Sequence, residues 1–102
     1  MTVTNEPGFY KDGGFGIRIE NVMLVNKVDT ANRFGDVDYL GFESVTVVPI
    51  QTKLVVKEML TGEEIDWLNR YHKKCFEAVS PLLAGAGDRL ALEWLSRETR
   101  EF

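Results

Sequence analysis

The sequence has few of the residues that usually carry chemistry or cross-links. Its 102 residues include one cysteine, one histidine and three prolines. The single cysteine, Cys75, excludes an intrachain disulfide. No apolar run reaches the roughly 18 residues that a membrane-spanning helix requires, and no signal peptide is visible. The sequence therefore predicts no membrane partner.

Positive charge is also scarce. Twelve lysines and arginines stand against sixteen acidic residues, which gives a net charge of −4. Without a basic cluster, this balance disfavours a nucleic-acid partner. The composition, 44% hydrophobic and 27% charged, is that of an ordinary globular protein, and the length fits one domain or part of one.

Strand patterns fill the first half of the chain. Pro7-Gly8 predicts a chain reversal, and Asp12-Gly13-Gly14 predicts a second turn. The apolar phase shifts near Glu20-Asn21, which predicts a bulge or burial on both faces. The predicted strands are residues 1–5, 15–25, 42–49 and 52–56, with a polar loop at 29–38.

Helical patterns fill the second half, so the fold class is predicted to be α+β. Thr61 and Glu64 fit a capping box at the start of a helix. Ser80-Pro81 is predicted to kink or end this helix. Asp88 is the predicted N-cap of a last helix. Its apolar side is either Leu92, Leu95 and Thr99, or Leu90 and Trp94.

Two carboxylates and an arginine are predicted to lie close together near the N-terminus. Arg18 and Glu20 are two residues apart, so a strand places them on one face. Glu6 precedes the Pro-Gly pair. Spacing alone leaves two interpretations open: a surface salt bridge, or a carboxylate cluster that binds a metal.

Four segments resemble one known family. The segment from Glu6 to Asn21 contains EPG and RIEN, and three later segments are GFESVTVVPI with TKL, EIDWLNRYH and LEWLSRET. Together they resemble the Xaa-Pro aminopeptidases (aminopeptidase P), dinuclear metallopeptidases of the pita-bread fold. The later segments favour the long eukaryotic type over prolidase or methionine aminopeptidase. Only residues 29–38 and 85–87 match nothing in particular.

This resemblance implies a domain organisation. Residues 1–56 would be the last antiparallel strands of a pita-bread catalytic domain with its tail strands, and residues 57–102 a two-helix C-terminal tail. The chain would be the C-terminal piece of a cytoplasmic enzyme that removes the N-terminal residue from peptides with proline in second position.

The resemblance also implies roles for individual residues. Glu6 would bind one metal ion and act as the acid/base, and Glu20 would bridge two divalent ions, Mn²⁺. Arg18 and Tyr10 would not bind the metal but would hold these two carboxylates in place and balance their charge. The family's two Asp ligands and one His ligand would lie upstream, so we expect this chain alone to be inactive and to hold no metal pair.

The remaining candidates have structural interpretations. His72 matches no family ligand and is predicted to pack or to hydrogen-bond, and Cys75 is predicted to be buried packing. Trp67, Phe76 and Trp94 are candidates for a subunit contact, because the family's tail resembles a dimer-forming element. We expect a homodimer or a strand-exchanged oligomer. The alternative is a stand-alone dimerisation module without catalytic function.

Overall fold

The computed structural model describes all residues from 1 to 102, which divide into two units, Met1–Thr46 and Val47–Phe102. The first unit contains antiparallel strands and the second contains helices, so the predicted α+β class is confirmed. Neither helix is both long and apolar enough to span a bilayer. The two units divide between residues 46 and 47, whereas the predicted division lies between residues 56 and 57.

Five antiparallel strands form two sheets in the first unit. Strands β1, β4 and β5 pair in that order, and β2 pairs with β3. No residue of this unit is fully buried, and its half-buried residues lie mainly in β4 and β5. The strands are β1 (Thr2–Asn5), β2 (Gly8–Tyr10), β3 (Gly16–Arg18), β4 (Asn21–Val28) and β5 (Tyr39–Ser44).

The two sheets share one register and form a single interrupted hairpin. Asn5 pairs with Asn21, and Gly8 pairs with Arg18, with equal numbers of residues between them. The interruption lies at Pro7, which has no N–H. It therefore makes only one of the usual two backbone hydrogen bonds with Ile19, by accepting from the Ile19 N–H. The chain keeps its direction through Pro7-Gly8, and the predicted reversal there is wrong.

The reversal lies between β2 and β3. The Lys11 N–H donates to the Phe15 carbonyl at 2.8 Å, and the Gly14 N–H donates to the Lys11 carbonyl at 3.0 Å. Gly13 has φ of 67°, in the region that glycine favours. The predicted turn at Asp12-Gly13-Gly14 is therefore confirmed.

Strand β5 ends earlier than predicted because a side chain replaces its backbone. The Val45 N–H donates to the Val22 carbonyl at 3.0 Å. The return bond, from the Val22 N–H, goes to the Thr46 hydroxyl at 2.8 Å rather than to a carbonyl. The backbone can then leave the sheet with the Val22 amide still bonded.

The predicted strand at 52–56 is wrong, since two short 3₁₀ helices, Thr52–Leu54 and Lys57–Met59, occupy this segment. The Gln51 side chain accepts a hydrogen bond from the Lys53 N–H at 3.1 Å. Local bonds of this kind compete with an extended backbone. The β-branched residues of the segment were therefore a misleading signal.

Helix α1 (Gly62–Gly85) begins at the predicted capping box. The Glu64 N–H donates to the Thr61 hydroxyl at 3.2 Å, and the Thr61 N–H donates to the Glu64 carboxylate at 2.8 Å. The helix continues through Pro81, so the predicted end there is wrong, while the alternative, a kink at Pro81, stays a prediction. Pro81 cannot donate to the Glu77 carbonyl, but Glu77 is exposed, so water can take that bond.

Helix α2 (Arg89–Glu98) begins at Asp88, whose carboxylate accepts from the Ala91 N–H at 3.0 Å. Its buried residue is Leu95, at 2% exposure, whereas Leu90 is 76% exposed. The first of the two predicted apolar sides is therefore the correct one. The core of the second unit consists of Leu68, Tyr71, His72, Cys75 and Leu95.

Candidate metal-binding face

One face of the interrupted hairpin carries both predicted carboxylates. Successive side chains of a strand alternate between faces, so the shared register places on this face the Glu6–Glu20 pair, its neighbours on both sides and, at the far end, Thr2 with Leu24. We call the four pairs around the glutamates the carboxylate face. Its pairs, in order along the hairpin, are Thr4 with Val22, Glu6 with Glu20, Gly8 with Arg18, and Tyr10 with Gly16.

The two glutamates stand directly opposite each other. The neighbouring pair is joined by the bond from the Ile19 N–H to the Pro7 carbonyl, at 3.1 Å. Because hydrogen-bonded and open pairs alternate, Glu6 and Glu20 form an open pair, in which Cα atoms are only about 4.5 Å apart. Like charges directly opposite each other destabilise a sheet. A purely structural role would not favour this pair.

Arg18 lies between the two carboxylates. Its guanidinium nitrogens are 3.5 Å from Glu6 Oε2 and 3.9 Å from Glu20 Oε2. The three side chains are 40–53% exposed, so each ion pair contributes about 0–1 kcal/mol. The predicted salt bridge is present, but it is weak and leaves both carboxylates accessible to a ligand.

Tyr10 lies along the same face. An added Cβ at Gly8 would meet Tyr10 Oη at 2.6 Å, and one at Gly16 would meet Tyr10 Cδ1 at 2.8 Å. The ring therefore covers both glycines, with its hydroxyl directed toward the glutamate pair. Tyr10 makes no hydrogen bond to either glutamate, so its role in holding them stays a prediction.

Thr4 also lies on the carboxylate face and was not among the predicted site residues. Its hydroxyl donates to Glu6 Oε1 at 2.5 Å. Glu6 is thus contacted at one oxygen by a hydroxyl and at the other by the Arg18 guanidinium. The two-residue spacing between Thr4 and Glu6 could have predicted this contact, because it places both side chains on one face of a strand.

Two opposed carboxylates are suited to hard divalent cations such as Mg²⁺ or Mn²⁺. A pair of ions about 3.5–4 Å apart needs further ligands around it. No group of three or more His, Cys, Asp or Glu side chains in this chain could hold a metal ion. The face therefore offers two carboxylates, which are fewer ligands than a pair of ions needs.

The only histidine and the only cysteine lie elsewhere, inside the second unit. His72 is fully buried, and its Nε2 accepts a hydrogen bond from the Ile50 N–H at 3.1 Å. Burial lowers the pKa of His72 and raises the pKa of the Cys75 thiol. Cys75 is also fully buried. These observations agree with the predicted packing roles of both residues.

The predicted interface aromatics are only partly covered. Trp67 is 50% exposed and Trp94 is 47% exposed, and Phe76 is half-buried. Trp67 stacks on Tyr71, with ring centroids 5.4 Å apart and planes within 1°. The Tyr71 hydroxyl in turn donates to the Val48 carbonyl at 2.8 Å. Trp67 thus stacks on a buried, hydrogen-bonded ring while half of its own surface stays open to solvent.

Comparison with known proteins gives consistent matches. The profile of the C-terminal region of peptidase M24 matches residues 38–102. The chain is 57% identical to a probable Xaa-Pro aminopeptidase P of Coprinopsis cinerea and 50% identical to aminopeptidase P1 of Arabidopsis thaliana, over 97% of its own length in each case. It spans only 16% and 15% of the lengths of these relatives.

A solved structure matches as well. The X-prolyl aminopeptidase of Caenorhabditis elegans, described as a cytosolic enzyme with a dinuclear active site, superposes with a TM-score of 0.85 at 37% identity. The match covers 99% of this chain and 16% of that enzyme. The strands and helices described above are therefore those of an aminopeptidase P, a pita-bread fold.

Proposed function

The chain belongs to the family of the C-terminal region of peptidase M24, and from this premise we propose that it acts as the C-terminal part of a dinuclear Xaa-Pro aminopeptidase. The complete enzyme would remove the N-terminal residue from peptides with proline in second position. The C. elegans enzyme's dinuclear site supports two metal ions in the parent. We propose Mn²⁺ as the metal and the cytoplasm as the location.

The opposition of Glu6 and Glu20 carries this proposal. Their side chains face each other on an open cross-strand pair, are accessible, and have one shared arginine beside them. Substitution of either glutamate would remove the repulsion between two like charges that lie opposite each other, and so would stabilise the hairpin. If the two carboxylates bound cations, the attraction of each carboxylate to the cations would replace the repulsion between the carboxylates.

The roles of the side chains follow from their positions. Bound metal ions would supply an activated water and polarise the scissile carbonyl. Glu20 would contribute its carboxylate to the binding of both ions. Glu6 would bind one ion and take up the water's proton at a carboxylate oxygen. Arg18 would limit the repulsion between the two glutamates, and Tyr10 would cover the glycines beside them.

The isolated chain is expected to be inactive. Two carboxylates supply only part of the ligands that a metal pair needs, and this chain contains no larger group of ligands. The missing donors would come from the other five-sixths of an enzyme of the relatives' length.

A homodimer is proposed through the second unit. Its exposed Trp67 and Trp94 and its half-buried Phe76 are residue types that anchor protein interfaces. Exchange of strands between the sheets of the first unit is the second way in which this chain could associate. A dimerisation module without catalysis would use the same aromatics but would not need the glutamate pair.

Peptide cleavage by the full-length enzyme tests the proposal. With Mn²⁺, we expect cleavage of Arg-Pro-Pro, no cleavage of Arg-Ala-Pro, and loss of cleavage on Glu6→Gln. The isolated chain should cleave neither peptide. Unchanged cleavage by Glu6→Gln, or robust Mn²⁺-dependent cleavage by the isolated chain, would contradict the proposed roles. A full-length protein that binds no metal would favour the dimerisation module.

A further inference from the structure

Thr4 occupies a special position on the carboxylate face. Its pair with Val22 lies immediately beside the Glu6–Glu20 pair, on the opposite side from Arg18. The two oxygens of Glu6 are therefore contacted from opposite directions: Oε1 by the Thr4 hydroxyl and Oε2 by Arg18. This arrangement restricts rotation of the Glu6 carboxylate about its last bond.

The Thr4 hydroxyl is itself held in place. Thr4 lies within β1, between the paired residues Val3 and Asn5. The ladder fixes its backbone, and a β-branched side chain has few χ1 rotamers. A serine at this position would keep the hydroxyl with more rotational freedom, and a valine would keep the shape without the hydroxyl.

The two contacts on Glu6 differ in chemistry. A carboxylate that accepts a hydrogen bond at one oxygen presents its remaining lone pairs in a defined direction. The Arg18 contact is long, at 3.5 Å, and is shared with Glu20. The Thr4 contact is short and is made to Glu6 alone. Thr4 is therefore the more specific constraint on this carboxylate.

We propose that Thr4 is a positioning residue for the metal site, and that its hydroxyl fixes the direction in which Glu6 presents its carboxylate to a metal ion. This inference rests on the proposed function. Hydrogen-bonding partners of metal ligands typically affect metal affinity or activity by about 10- to 100-fold. The effect requires the hydroxyl and not only the volume of the side chain.

Titration of the metal-free full-length enzyme with Mn²⁺ tests this inference, with free Mn²⁺ followed by electron paramagnetic resonance. We expect Thr4→Val to weaken Mn²⁺ binding by about 10- to 100-fold. Thr4→Ser should stay within a few-fold of the parent. Thr4→Val should fold, because valine suits an exposed strand at least as well as threonine. Thermal unfolding verifies this.

A reference variant separates this inference from the proposed function. Glu20→Gln is titrated in the same way and should lose Mn²⁺ binding. If Glu20→Gln loses binding while Thr4→Val binds like the parent, the inference about Thr4 is wrong and the proposed function stands. If Thr4→Ser is impaired as much as Thr4→Val, side-chain packing is responsible and the inference is again wrong. If Glu20→Gln binds normally, the proposed function itself fails.

Discussion

His72 connects helix α1 to the segment before it through one buried hydrogen bond. Its Nε2 accepts from the Ile50 N–H at 3.1 Å, and the ring has no exposed surface. Replacing His72 by Phe keeps a ring but removes the acceptor. The Ile50 amide then has no acceptor at that position, which costs about 1–3 kcal/mol. We expect His72→Phe to lower the free energy of unfolding of the second unit by this amount.

The same bond makes the second unit sensitive to acid. Burial lowers the pKa of His72 below its ordinary value of 6.5, and Nε2 can accept the Ile50 bond only when it is unprotonated. The unfolded chain therefore binds this proton more readily than the folded one. Stability is full above about pH 6.5 and falls as the pH drops below it, by at most about 1.4 kcal/mol per pH unit.

Urea unfolding followed by tryptophan fluorescence measures both effects, because both tryptophans, Trp67 and Trp94, lie in the second unit. His72→Gln is the matched control. Its amide can accept the Ile50 bond but does not titrate, so its stability should be nearly constant between pH 6.5 and 5. The chain has no other histidine to titrate in this range. Parallel pH dependence of the parent and His72→Gln would refute the reasoning.

Three further predictions follow from burial and hydrogen bonding. Leu95→Ala should cost about 2–5 kcal/mol in urea unfolding, whereas Leu90→Ala, at an exposed position of the same helix, should change stability by no more than about 0.5 kcal/mol; equal losses would contradict the described core. Thr46→Val removes the acceptor of the Val22 N–H and should speed hydrogen exchange of that amide in NMR, whereas Thr46→Ser keeps the hydroxyl and should not. Slow exchange in Thr46→Val would show that the amide has another acceptor. Cys75 should not react with a thiol reagent in native buffer and should react once in 6 M guanidinium, because it is buried and its thiol pKa is raised; fast native labelling would contradict its burial.

Features set by neighbouring residues could be predicted from the sequence. The capping box of Thr61 and Glu64 and the N-cap at Asp88 depend on contacts three residues apart, and both are present. The turn around Gly13 depends on a backbone conformation that glycine favours. Strand patterns followed by helix patterns gave the correct α+β class, and the family resemblance gave the pita-bread fold.

Features set by distant partners were predicted wrongly or not at all. Pro7-Gly8 looks like a turn locally, but pairing with β3 and β4 keeps the chain extended there. Strand β5 ends where the Thr46 hydroxyl takes a hydrogen bond from a residue 24 positions away. The exact opposition of Glu6 and Glu20 depends in the same way on the hairpin register, which no single segment reveals.

The site residues themselves came from the family motif rather than from spacing. Spacing placed Arg18 and Glu20 on one face but left a salt bridge and a metal site equally open. The structure adds the opposed glutamate pair and the Thr4 contact, which spacing alone did not indicate.

Metal content of the purified full-length enzyme tests the central claim most directly. Each variant is saturated with Mn²⁺, freed of excess metal and analysed by plasma mass spectrometry. We predict two ions per chain for the parent and fewer than one for Glu20→Gln. The control, Glu43→Gln, changes an exposed glutamate that bonds Asn26, and it should retain two ions. Two ions in Glu20→Gln, or none in the parent, would contradict the assignment of Glu6 and Glu20 to a dinuclear site.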